Sequence, residues 1–155
     1  MNTMNTVNTM TYNELRARQQ KEISAMPLGF AFGKDQFDGM MHKWGLDPVQ
    51  DRDKIRSIGY GGYVQNKDAE HFHATLGRHR AEMDAAIAAD TTGEGFIHDM
   101  FRYELSNHEY IYTLDAEETL DALGYTREDV EDDPRLKHGF EKAAEEVLAA
   151  AYAAA

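Results

Sequence analysis

The amino-acid sequence predicts a mainly α, compact single-domain helical protein of five to seven helices with at most a small two- or three-stranded sheet. Three observations predict it. Apolar residues recur at helical spacing through residues 68–89 and 94–108. Alternating or glycine-broken apolar patterns are confined to the short stretches 28–32, 55–64 and 110–112. Residues 115–134 carry three consecutive helix-start signatures. The order helix, short strand, helix, hairpin, then helices does not fit a parallel α/β sheet.

The elements follow in chain order. Residues 1–10 repeat Met-Asn-Thr and related triplets with no helical or strand period, which predicts a mobile tail. Met10 opens the first structured signal and is a candidate alternative translation start. The predicted helical domain spans residues 11–150, and residues 151–155 are its alanine-rich C-terminal helix end. Thr11 and Glu14 have capping-box spacing and start a helix that Pro27 ends. A short strand or apolar loop covers Leu28–Phe32, and a helix runs from Lys34 to Trp44 and stops at Gly45. Gly59, Gly61 and Gly62 lack the Lys-Ser/Thr of a phosphate loop and read as a turn within a strand pair. Helices follow from about Asp68 to Ala89, broken by Asp90-Thr91-Thr92-Gly93, and from about Glu94 to His108.

Composition narrows the function classes. The chain has 155 residues, 42% apolar content and a formal net charge of -12. It contains no cysteine, which removes disulfides, thiolate metal sites and thiol nucleophiles together. No run of eighteen apolar residues and no basic-then-apolar leader occurs, so the expectation is a cytoplasmic protein without a membrane partner. A pI near 4.9 argues against direct nucleic-acid binding, because phosphate affinity comes from clustered Lys and Arg. The same charge suits a basic protein surface as partner. Oligomeric state is not specified by any of these features.

Nine acidic residues stand between Asp115 and Asp133, with Arg127 as the one base among them. Asp115, Glu117, Glu118, Asp121, Glu128, Asp129, Glu131, Asp132 and Asp133 are therefore the candidate partner-binding residues. Capping rules claim part of this charge. Asp115 with Glu118, and Thr126 with Asp129, have capping-box spacing, Gly124 closes the first of these helices, and Asp132-Asp133-Pro134 supplies a cap and a first-position proline for the last one. A first-turn acid also faces the positive end of the helix dipole. Such residues keep their charge at the surface, so local use and partner contact are compatible.

A second candidate comes from polar residues on apolar faces. Ile97, Met100, Phe101 and Leu105 define one face, and Glu104 and His108 fall within it. Phe72, Leu76, Met83 and Ile87 define another, with His79 in its middle. Buried polar groups need partners. One reading is a two-His, one-carboxylate site of His79, Glu104 and His108 holding a divalent metal, with Glu104 and His108 in general acid–base roles. The other is a core hydrogen-bond network in which Glu104 orients His108 or His79, with no cofactor. The spacing does not match His-Glu-x-x-His. His71 and His73 read as surface residues, and His98 as part of an exposed charge cluster with Arg102 and Glu109. No nucleophile elbow surrounds Ser57 or Ser106.

The segments Pro27-Leu28-Gly29-Phe30-Ala31-Phe32, Gly59-Tyr60-Gly61-Gly62-Tyr63-Val64, Asn107-His108-Glu109-Tyr110 and Asp121-Ala122-Leu123-Gly124-Tyr125 occur in this order. In them the chain resembles a family of short acidic proteins of unknown function carried by phages and integrative elements of gut Firmicutes. The resemblance covers about residues 10–148 and implies an accessory protein of a mobile element. Accessory proteins of that kind often bind a host protein, interfering with defence or regulating transfer. The leading expectation is thus a non-enzymatic acidic interaction protein, an inhibitor of a basic, nucleic-acid-handling host defence factor. The alternative is a small metal-dependent enzyme built on the His/Glu cluster.

Overall fold

In the computed structural model, residues 10–154 are described. The expected N-terminal tail lies outside them except for Met10. The elements are α1 (Tyr12–Ser24), β1 (Leu28–Phe30), α2 (Lys34–Lys43), a 3-10 turn (Arg52–Lys54), β2 (Ile55–Gly59), β3 (Gly62–Gln65) and α3 (Asn66–Ala89). They continue with α4 (Phe96–Asn107), α5 (Tyr110–Thr113), α6 (Glu117–Leu123), α7 (Arg127–Asp132) and α8 (Pro134–Ala154). The chain is mainly α with one small antiparallel sheet, as the sequence predicts. No helix among the described residues is long and apolar enough to cross a membrane.

Two compact units emerge. One comprises residues 19–80 and carries the sheet. Its strands lie in the order β1-β3-β2, with Leu28 opposite Val64 and Ile55 opposite Gln65. Tyr60 and Gly61 both have positive φ, 52° and 75°, at the tip between β2 and β3. That is the geometry of a tight hairpin turn matched to strand twist, and it removes the phosphate-loop reading of these glycines. Met40, Met41 and Ala31 form one small core here, packed by Phe37 and Trp44, and Val64, Ala69 and Phe72 form another.

The other unit joins the described residues up to Arg18 to those from Ala81 onward. Its core is built on Leu15, Ile97, Met100, Phe101 and Leu105, with Leu120, Val130, Leu136 and Val147 closing over them. Ile97, Met100, Phe101 and Leu105 are the face predicted for α4. Burial of a side chain of this size stabilises by about 1.5–3 kcal/mol. The principal helix pair is α4 with α8, and they cross closely at Gly139. A Cβ there would come within 2.7 Å of both the Gly93 carbonyl oxygen and Ile97 Cγ2.

The helix starts show where local chemistry decides. Thr11 and Glu14 form the expected reciprocal box, each side-chain oxygen accepting the other's backbone N–H at 3.2 Å. Thr126 and Asp129 do the same at the start of α7. Asp133 Oδ1 accepts the Arg135 N–H at 2.9 Å, with Pro134 in the first position of α8. Each such cap contributes about 1 kcal/mol. Gly124, at φ 78°, ends α6 with the N–H of Tyr125 on the Leu120 carbonyl and its own on Asp121.

Four expectations need correction. Residues 110–112 are a helical turn and not a strand, because Glu109 and Leu114 adopt left-handed conformations at its two ends and Leu114 N–H bonds to the Tyr110 carbonyl. Asp115 does not pair reciprocally with Glu118. Its Oδ1 accepts the Glu117 N–H at 2.9 Å, and α6 begins at Glu117. Leu76 is exposed, and the buried face of α3 runs instead through Ala69, Phe72, Thr75, His79, Glu82 and Ala86. His98 is largely buried, with Glu146 Oε2 at 2.7 Å from Nε2 and Asp99 at 3.2 Å from Nδ1, so its partners are not those of an exposed cluster with Glu109.

Candidate functional site

Glu104 lies on the inner face of α4 and is 5% exposed. Its Oε1 accepts a 2.6 Å hydrogen bond from the Tyr12 hydroxyl, and Arg16 Nε stands 3.8 Å from the same oxygen. Tyr12 and Arg16 are one turn apart on α1, so a single helix face supplies both. Arg16 also stacks over the Tyr103 ring, 4.8 Å from its centroid. The other oxygen, Oε2, is 3.2 Å from His108 Nε2, one turn further along the chain. The second ring nitrogen of His108 points to Glu118 Oε2 at 3.8 Å. The backbone carbonyl of Glu104 accepts from the buried hydroxyl of Thr119. The Glu104 carboxylate therefore ties α1 to α4, and its backbone carbonyl and His108 carry the cluster on to Thr119 and Glu118 of α6.

The structure brings Glu104 and His108 together, as their four-residue spacing on one face implies. His79 belongs to the sheet-bearing unit, where its Nε2 faces Glu22 Oε2 at 3.1 Å and its carbonyl accepts from Gln19. Arg78 closes on the same Glu22 carboxylate. Each imidazole thus meets a different carboxylate within its own unit. Among the described residues no group of three or more His, Cys, Asp or Glu side chains is arranged to hold a metal ion. Tyr12 and Arg16 were not visible as partners in the sequence, because their pairing with Glu104 spans about ninety residues of chain.

Tyr12 carries the clearest electrostatic consequence. Burial of its phenol, then the hydrogen bond to Glu104 and that carboxylate's charge, push its pKa well above the ordinary 10.0, while Arg16 opposes them. The unfolded chain releases this proton near the ordinary value and the fold retains it. Stability contributed by the neutral phenol is therefore complete below about pH 10 and falls as pH rises through the folded value, with a slope of at most about 1.4 kcal/mol per pH unit. Tyr12→Phe is expected to flatten the alkaline limb of a stability–pH curve and to lower neutral-pH stability by about 1–2 kcal/mol. Urea titrations at neutral and alkaline pH read both effects. An unchanged alkaline limb would mean that burial and Glu104 do not hold the phenol's proton.

The nine acids of residues 115–133 divide by what they touch. Asp115, Asp129 and Asp133 accept backbone N–H groups. Glu117 pairs with Arg127 at 3.1 Å, Glu131 with Lys137 at 3.1 Å, and Glu118 faces His108. Asp133 also receives the Arg135 guanidinium, which holds its carboxyl below the usual aspartate value against a smaller effect of burial. Asp121, Glu128 and Asp132 are exposed, and their carboxylates make no hydrogen bond or ion pair among the described residues.

Charge is also divided unevenly between the units. Residues 19–80 hold nine Lys and Arg against eight Asp and Glu. The rest of the chain holds seven against twenty. The whole acidic surplus therefore belongs to the helical unit.

A family of unknown function (DUF7659) matches residues 11–146. The chain belongs to this family. The match takes in both units, from the Thr11 cap to Glu146 on α8. No curated protein and no solved structure shows significant similarity to the chain.

Proposed function

We propose that the protein is a non-enzymatic acidic interaction protein of a mobile genetic element, which docks through its helical unit on a basic, nucleic-acid-handling host defence factor. The observation that carries the reading is the confinement of the acidic surplus to one unit, where α6 and α7 leave Asp121, Glu128 and Asp132 without partners among the described residues. A field of one sign on one unit steers a partner of opposite charge and fixes its orientation. The mobile-element context rests on the resemblance of the Pro27–Phe32, Gly59–Val64, Asn107–Tyr110 and Asp121–Tyr125 segments. The Glu104 cluster supports the reading indirectly, since it fixes α6 against α4 and so presents the acidic helices on a firm base.

Capture from lysate of the host tests this. The tagged protein is expected to retain one basic partner in stoichiometric amount at low salt and to lose it as ionic strength rises. The triple variant Asp121→Lys, Glu128→Lys, Asp132→Lys is expected to weaken that binding roughly 10–100-fold with little change in thermal stability. No stoichiometric partner, or one whose binding ignores both salt and the reversals, would count against the proposal.

A further inference from the structure

The acidic helices also enclose an apolar groove. Tyr110, Leu114, Ala116, Leu120, Val130 and Phe140 line it, and its volume is about 410 Å³, in the range of sites that hold a ligand group. Four elements of the helical unit, α5 through α8, contribute to its walls. Leu114 is 65% exposed at its mouth, and the neighbouring Ile111 and Tyr112 are exposed as well. Leu114 also sits at φ 55°, where asparagine or glycine would close the turn with less strain.

The rim identifies the kind of occupant. Its two cations, Arg127 and Lys137, are already matched by Glu117 and Glu131, and Glu141 acts on Lys137 as well. The unpartnered Asp121 and Glu128 with Asp132 stand on α6 and α7, the helices that supply Leu120 and Val130. An apolar slot in a surface of net negative charge complements a segment that carries a large apolar side chain flanked by Lys or Arg. We propose that this groove is the anchor point of the docking surface and takes one apolar side chain from a short basic amphipathic segment of the partner. The inference rests on the acidic-interaction reading and adds to it where the apolar contact is made. An anchor in a desolvated pocket inside a charged rim is how binding energy is commonly concentrated.

Three fluorescent peptides of roughly 14 residues, long enough for helix to form on binding, serve as probes. One combines Lys with Leu in an amphipathic helical pattern, one replaces every Leu by Ser, and one replaces every Lys by Glu. Anisotropy titration of the full chain is expected to show the Lys/Leu peptide binding at least about tenfold tighter than either control. Leu114→Asn, which suits the left-handed position, is expected to weaken the Lys/Leu peptide by about tenfold without lowering the unfolding temperature. Peptide-induced amide shifts are expected to centre on Leu114, Leu120, Val130 and Phe140. Equal binding of the Lys/Ser peptide, unchanged binding by Leu114→Asn, shifts centred elsewhere, or no binding of any peptide would each overturn the groove as anchor. Those outcomes leave the acidic reading to the lysate capture. Equal binding of the Glu/Leu peptide would instead remove charge from recognition and overturn both.

Discussion

Gly93→Ala is expected to lower stability by about 3 kcal/mol, from a methyl group added at a turn. Gly93 has φ 84°, a conformation that costs an L-residue about 1–2 kcal/mol. Its new Cβ would also press on the backbone carbonyl of Arg135 at the start of α8, adding about 1–3 kcal/mol of overpacking. Neither side can yield easily. The Asp90 carboxylate accepts the N–H groups of Thr92, Gly93, Gly95 and Ile97, at 2.9–3.2 Å, and fixes the turn. Burial raises the pKa of that carboxyl, and the four N–H bonds outweigh it, so the group lies below its ordinary value and stays charged. On the other side the Arg135 guanidinium donates to the carbonyls of Ile87 and Asp90, and Gly139 already sits against Gly93. Gly77→Ala provides the contrast. Gly77 lies within α3 with nothing near its missing Cβ, so alanine there is expected to stabilise by about 0.5–1 kcal/mol. Urea unfolding followed by helical circular dichroism measures both. A loss below about 1 kcal/mol for Gly93→Ala would show that α8 can shift away from the turn.

What the sequence discloses here is what a few neighbouring residues decide. The Thr11–Glu14 and Thr126–Asp129 boxes, the Asp133-Pro134 start and the glycine hairpin are complete within five residues, and each forms as predicted. The α4 face and the meeting of Glu104 with His108 follow from helical spacing alone. Where a distant element supplies the partner, the pattern misleads or is silent. Tyr-Ile-Tyr at 110–112 has strand-forming residues, yet left-handed Glu109 and Leu114 close it as a turn of helix. Asp90 reads as a helix breaker, while in the fold it organises the start of α4. The acidic segment is legible as caps, but which three acids remain unpartnered depends on Arg127, Lys137 and His108 reaching Glu117, Glu131 and Glu118.

The buried face of α3 is the sharpest case, and it leads to the second large effect. Glu82 is 1% exposed and closes an ion pair with Arg18 of α1, and its neighbours on that face include Thr75 and His79. An apolar stripe through Leu76 and Met83 is the simpler pattern, but it cannot see that α1 brings Arg18 to Glu82, and in the other unit Gln19 and Glu22 to His79. Arg18→Met is expected to cost about 2–3 kcal/mol, because it removes a charged donor from a carboxylate held out of water. Glu82→Met should cost less, since Arg18 is a quarter exposed and can recover hydration. The double variant Arg18→Met, Glu82→Met is expected to return most of the loss, because two apolar chains of similar length then fill the seam. The coupling from this cycle, measured by urea unfolding, should exceed about 2 kcal/mol and hold in high salt, as screening reaches a buried pair poorly. A coupling of a few tenths that vanishes in salt would mark the pair as an ordinary surface contact.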